Sequence, residues 1–78
     1  MKVSTDYSQE AAIIDIVDDS TNYYCYPELG TIGENEPKWA ICRAKKIGTA
    51  WHYQWASGSQ EKTFKASERT ALIYSWIK

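Results

Sequence analysis

The chain has 78 residues, enough for a single domain. At that size only about 60% of the unfolded chain's surface is buried, which excludes a large aliphatic core. Net charge is −1, and no apolar run approaches the roughly 20 residues that a membrane-spanning helix needs.

Four Trp, six Tyr and one Phe fill the gap. Each aromatic buries about 150–250 Å², so a few of them substitute for many aliphatics. Charge is uneven. Residues 1–37 hold one cation and eight acids, whereas residues 38–78 hold eight cations and two acids. Such asymmetry marks either a nucleic-acid or membrane surface or an acidic half folding against a basic one, and the last is the simpler expectation. Cys25 and Cys42 are too few for a disulfide framework and lack metal-ligand spacing. Met1–Glu10 has no apolar signal-like core, so reduced, buried thiols in a cytosolic product are expected. A single bridge between neighbouring strands stays open.

Residues 1–9 are polar and are expected to fray. Ala11–Val17 reads as a strand, because Ile13, Ile14, Ile16 and Val17 favour the pleat. Asp18–Asn22 is turn-rich. Tyr23–Tyr26 reads as an aromatic strand stopped by Pro27, and Leu29–Pro37 as a long ordered loop. Lys38–Ile47 follows as a strand with Trp39, Ile41, Arg43 and Lys45 on one face and Ala40, Cys42 and Ala44 on the other. The small residues imply a close-packed neighbour. Gly48 turns the chain into Ala50–Ala56, where Trp51, Tyr53 and Trp55 alternate with His52 and Gln54. Ser57–Lys62 is a polar loop. Leu72, Ile73, Trp76 and Ile77 then fall on one helical face, so a short helix over Ser67–Ile77 is predicted, with Ser67 as N-cap. The fold class is therefore mostly β: a small antiparallel meander or partly open barrel of about four strands, closed by a short C-terminal helix.

Candidate chemistry is sparse. His52 stands alone, with no second histidine or cysteine pair for a metal and no orienting carboxylate for general-base work. Asp18 and Asp19 suit a turn, and Glu34 and Glu36 lie in the loop. Gly30–Gly33 lacks the lysine and the helix of a phosphate loop. No catalytic, metal or cofactor residue is expected. The strongest signal is aromatic residues interleaved with cations, a pattern that stacks bases and tracks phosphates, although one aromatic face per strand is also what a core needs. The candidate binding residues are Trp39, Arg43, Lys45, Trp51, His52, Trp55, Arg69 and Tyr74.

Tyr26–Thr31, Lys38–Arg43, Ala56-Ser57-Gly58 and Arg69–Tyr74 together form a pattern. Over residues 11–74 it resembles a group of small, uncharacterised bacteriophage proteins. Those carry a Trp-x-Ile basic strand, an Ala-Asp-Gly-like turn and a closing Arg-x-x-Leu-x-Tyr. Here Ser57 stands where Asp is usual, and Ala66-Ser67-Glu68 where a Trp and two acids are frequent. The resemblance implies a compact β domain of phage origin, found alone or attached to virion and tail proteins, in the host cytoplasm or the particle. A physical reading of the motif residues makes Trp39 a core anchor between sheet and C-terminal helix, pairs Arg69 with an acid of the negative half or stacks it on a Trp face, ties Tyr74 to a turn carbonyl, and puts Gly30 and Gly58 at positive φ.

The functional expectation is a non-enzymatic accessory or virion-associated assembly protein. Its partner would be another virion subunit, a host protein or a second copy of itself, with no membrane involved. A nucleic-acid-binding β module and an inhibitor of a host protein are the alternatives. The loops at Leu29–Pro37 and Ser57–Lys62 are the expected contact loops.

Overall fold

The computed structural model describes residues 11–77; the nine N-terminal residues expected to fray lie outside them. Five antiparallel strands form one open sheet in chain order: β1 (Ile13–Asp18), β2 (Thr21–Pro27), β3 (Trp39–Ile47), β4 (Ala50–Ala56) and β5 (Tyr74–Ser75). The mostly-β meander is as expected, with one strand more and no barrel closure.

Turn chemistry sets the register. Ile47 pairs with Ala50, so β3 and β4 join through Gly48-Thr49 alone. Gly48 lies at φ 64 while Thr49 keeps a negative φ, the pattern of a type II′ turn. Asp18 pairs with Thr21 across Asp19-Ser20. The Asp18 carboxylate accepts the Ser20 N–H at 2.8 Å and its hydroxyl at 3.0 Å. Neither turn residue has a positive φ. The register shift between Ile16 and Asp18 absorbs the mismatch as a bulge. Ala56 leads into Ser57 (φ 53) and Gly58 (φ 66), closed by Ser59 N–H to Ala56 O at 3.1 Å.

One face of the sheet is covered by the 57–73 segment. Tyr23, Cys25, Trp39, Ile41 and Tyr74 form its core with Ala56 and Ala66, and Ile13, Phe64 and Leu72 pack against it. Trp39 and Phe64 exchange both backbone hydrogen bonds, at 2.9 and 3.0 Å, and this bridge ties the covering segment to the sheet. Trp39 also donates its indole N–H to Gly33 O at 3.1 Å, so it anchors the 28–38 loop as well.

The predicted helix at Ser67–Ile77 does not form. Only a 3-10 turn at Ala66–Glu68 appears, preceded by Lys65 with no side-chain cap, and Tyr74–Ser75 joins the sheet instead. The reason is tertiary. Tyr74 pairs with Ala56 at the end of β4, its ring lies 5.7 Å from that of Tyr23, and its hydroxyl donates to Arg69 O at 2.6 Å. An eleven-residue helix is marginal by itself. Here one buried aromatic in extended backbone outweighs it, and Ile73, Trp76 and Ile77 are left exposed.

Candidate functional site

The strand pairing sorts the candidate residues onto two faces. Lys46 pairs with Trp51, Ala44 with Tyr53, and Cys42 with Trp55. The aromatic stripe of β4 therefore shares a face with the small residues of β3, and Trp39, Arg43, Lys45, His52 and Tyr74 lie on the other, covered face. The eight candidates do not form one site.

Most of those on the covered face are engaged in structure. Trp39 and Tyr74 are buried in the core. Arg43 donates to Gln54 Oε1 at 2.8 Å, and its guanidinium sits 5.0 Å from the centre of the Tyr74 ring. Arg69 is the hub of an ionic network: Nε donates to Asp15 Oδ2 at 2.9 Å, and Nη1 donates to Glu34 Oε1 at 3.0 Å and to Ala66 O at 2.9 Å. The acidic half meets the basic half at this point, as the charge asymmetry suggests. Asp15 holds the Arg69 pKa above its ordinary value, more strongly than partial burial lowers it.

The acids of the long loop are also committed. Glu36 Oε2 accepts the N–H groups of Ile32 at 2.6 Å and Gly33 at 2.8 Å. Those donors, Gly33 foremost, hold its carboxyl below the usual range. Glu34 O receives the Ser67 N–H at 3.1 Å. The loop is thereby fastened to the covering segment. Among the described residues no group of three or more His, Cys, Asp or Glu side chains is placed to hold a metal ion.

Cys25 and Cys42 are free, buried and on opposite faces of neighbouring strands, since Cys25 pairs with Ile41 and Cys42 with Tyr24. No bridge joins them. Burial pushes the Cys25 thiol up to about 11 and the Cys42 thiol up to about 12. Both therefore stay protonated near neutral pH and are poor nucleophiles.

The second face has a different character. Among the described residues its cluster is made of strand residues: Ala40, Cys42 and Trp55, with Tyr24, Tyr26 and Tyr53 against them. Among the described residues, the neighbours of the small β3 side chains are rings of the same sheet. Rings from β2 and β4 lean over the central strand, and Tyr26 and Trp55 meet at 5.5 Å. Trp55 is only 5% exposed, so it is not a flat stacking platform. At the edges the face opens to solvent through Ile14, Ile16 (72% exposed) and Trp51 (39%). Alternation places Ile14, Ile16, Asn22, Tyr24, Tyr26, Ala40, Cys42, Ala44, Lys46, Trp51, Tyr53, Trp55 and Ser75 here, with Lys46 the one charged side chain among them.

The sequence reading singled out Trp51 and Trp55 but missed Ile14, Ile16, Tyr24, Tyr26 and Tyr53. The missing signal was parity. A two-residue turn at Gly48-Thr49 fixes Ile47 opposite Ala50, and every later pair follows in steps of two.

No family model, curated protein or solved structure matches this chain.

Proposed function

We propose that this protein is a non-enzymatic assembly protein that acts through protein–protein contacts made by the exposed apolar side chains of the second sheet face, Ile14, Ile16 and Trp51, in the manner of a bacteriophage accessory or virion-associated subunit. The observation that carries the reading is the nature of that face. It is apolar, rich in Tyr and Trp, and nearly free of charge. This is how the buried centre of a protein interface differs from the rest of a surface. The committed states of Arg43, Arg69, Glu34 and Glu36 support it further, because their polar groups are spent on internal contacts. The phage origin rests on the sequence pattern of Lys38–Arg43 and Arg69–Tyr74.

Nucleic-acid binding keeps one foothold. Lys45, Lys46, Trp51 and His52 gather at the β3–β4 hairpin. Two lysines track few phosphates, and of the three β4 rings, those of Trp51, Tyr53 and Trp55, Trp51 alone is exposed, which leaves little to stack upon.

The test is affinity capture from phage-infected cells and from purified particles, using wild type and Ile16→Lys. The reading predicts recovery of a particle protein or of the chain itself by wild type and loss with Ile16→Lys. Equal recovery by both would refute the role of the face. A salt-sensitive shift of single-stranded DNA or RNA, with no protein captured, would favour the hairpin instead.

A further inference from the structure

We infer that β1 pairs edge to edge with β1 of a second copy of this chain, antiparallel about a two-fold axis at Asp15, so that two sheets join into one. The inference rests on the reading of Ile14 and Ile16 as contact residues and names their occupant.

β1 is an edge strand, with β2 on its inner side. Hydrogen-bond parity fixes which backbone groups its outer side presents. Lys46 N–H donates to Ser20 O and Glu28 N–H to Lys38 O, each at 2.8 Å. Both pairs are in step with Asn22–Ala44, Tyr24–Cys42 and Tyr26–Ala40. Even-numbered residues of β2 therefore bond to β3, and Tyr23 and Cys25 turn their backbone groups to β1. The Ala12 N–H donated to Cys25 O at 2.9 Å agrees with this parity. Ile13 and Asp15, which pair with Cys25 and Tyr23, consequently face inward with their N–H and C=O groups. Those of Ile14 and Ile16 point away from the sheet, and among the described residues no strand pairs with them.

Natural edge strands are commonly guarded by lysine or proline. The run Ile-Ile-Asp-Ile-Val-Asp has neither. Its aliphatic side chains are open, with Ile16 at 72%, Val17 at 51% and Ile14 at 48% exposure.

The run is also complementary to itself. A two-fold axis normal to the sheet keeps the two faces in common, so residues of equal parity stand opposite each other. Centred on Asp15, the axis sets Ile14 opposite the second copy's Ile16, and Ile13 beside its Val17. Ile14 and Ile16 exchange both main-chain hydrogen bonds, and symmetry repeats the pair. Sliding the register by two residues either way sets Asp18 opposite Ile14 or Asp15 opposite Ile13, an acid against an aliphatic. At the axis Asp15 meets its own counterpart. Its side chain shares the covered face with Tyr23, and each carboxylate is already bound to Arg69 Nε of its own copy at 2.9 Å. The register shift between Ile16 and Asp18 ends the pairing beyond Val17.

Such a contact closes on itself and gives a dimer. β5, at the opposite edge, has two residues and is too short to extend the sheet further. An edge this short buries less than the roughly 1,200 Å² of a standard interface, so the dimer is weak and reversible.

The experiment is sedimentation velocity from low-micromolar to near-millimolar protein, with amide hydrogen exchange over the same range. Wild type is expected to pass from monomer to dimer, with no larger species. Exchange at the Ile14 and Ile16 N–H groups should slow as the dimer fills. Ile14→Pro keeps an apolar side chain and removes one outward N–H per copy, so it should weaken dimerisation about tenfold or more. Ile16→Lys should weaken it as well. Trp51→Lys, on β4 across the sheet, should leave it unchanged. Tryptophan fluorescence and unfolding midpoints confirm that the variants fold. A wild type that stays monomeric throughout would overturn the inference. So would a dimer in which Ile14 and Ile16 exchange at the monomer rate, or one that Trp51→Lys weakens as much as Ile14→Pro. A monomer that still captures a different protein through Ile16 would overturn self-pairing alone and leave the functional reading standing.

Discussion

Replacing Arg69 by Met tests what holds the covering segment on the sheet. Arg69 joins β1, the 28–38 loop and the 3-10 turn, which are separated by up to 54 positions in sequence. Its side chain is 23% exposed, Asp15 is 30% exposed and Glu34 51%. Shielded charge-assisted bonds contribute about 1.5–3 kcal/mol, and exposed pairs about 0.2–1 kcal/mol. Discounted for solvent, the Asp15 pair contributes about 1 kcal/mol, and the Glu34 and Ala66 contacts about 0.5 kcal/mol each. Met keeps most of the apolar stem, so Arg69→Met should cost about 2 kcal/mol. In a domain of this size each kcal/mol lowers Tm by about 4–8 °C, so a drop of roughly 8–16 °C is expected. Urea unfolding supplies the free energies. A double-mutant cycle with Asp15→Asn should give a coupling of about 1 kcal/mol that shrinks in high salt. A loss below about 0.5 kcal/mol with no coupling would refute the reasoning, leaving Phe64, Ala66 and Leu72 to hold the segment by apolar contact alone.

Three further outcomes are expected. The Glu36 carboxyl, depressed by the N–H groups of Gly33 and Ile32, stabilises the fold fully above its ordinary value of 4.5 and loses that contribution as pH falls through the lower folded value. Glu36→Gln should therefore flatten the stability–pH curve below that point, and an unchanged acid slope would count against the loop clamp. The two thiols behave oppositely. Their folded values of about 11 and about 12 lie above the ordinary 9.0, so stability should be constant below pH 9.0 and fall as pH rises beyond it. Alkylation should be far slower in native protein than in urea, and equal labelling rates would show that the thiols are accessible. Ser57, the non-glycine residue at positive φ among those described, should gain about 0.5 kcal/mol from Ser57→Asn, because Asn tolerates that region. A lower melting temperature in that variant would refute the strain argument.

The sequence by itself determined four of the five strands and the turns between them. Trp51, Tyr53 and Trp55 alternate because a half-buried strand has period two, and the bounds of β4 are those predicted. Gly30 and Gly58 mark positive φ because glycine adopts it most freely, and both do so, as does Gly48 in its turn. Arg69 and Tyr74 find an acid and a turn carbonyl as the closing motif suggests. Tertiary structure alone decided the rest. Leu72, Ile73, Trp76 and Ile77 have helical spacing, yet spacing describes only local preference, and the burial of Tyr74 beside Tyr23 and Arg43 outweighed it. The candidate binding residues read as one set along the chain but divide between two faces, because a strand residue's face depends on the register of its neighbour. That division turned an apparent aromatic and cationic surface into two different things. One face is a sealed core held by Arg69, and the other an apolar face open at Ile16 and Trp51.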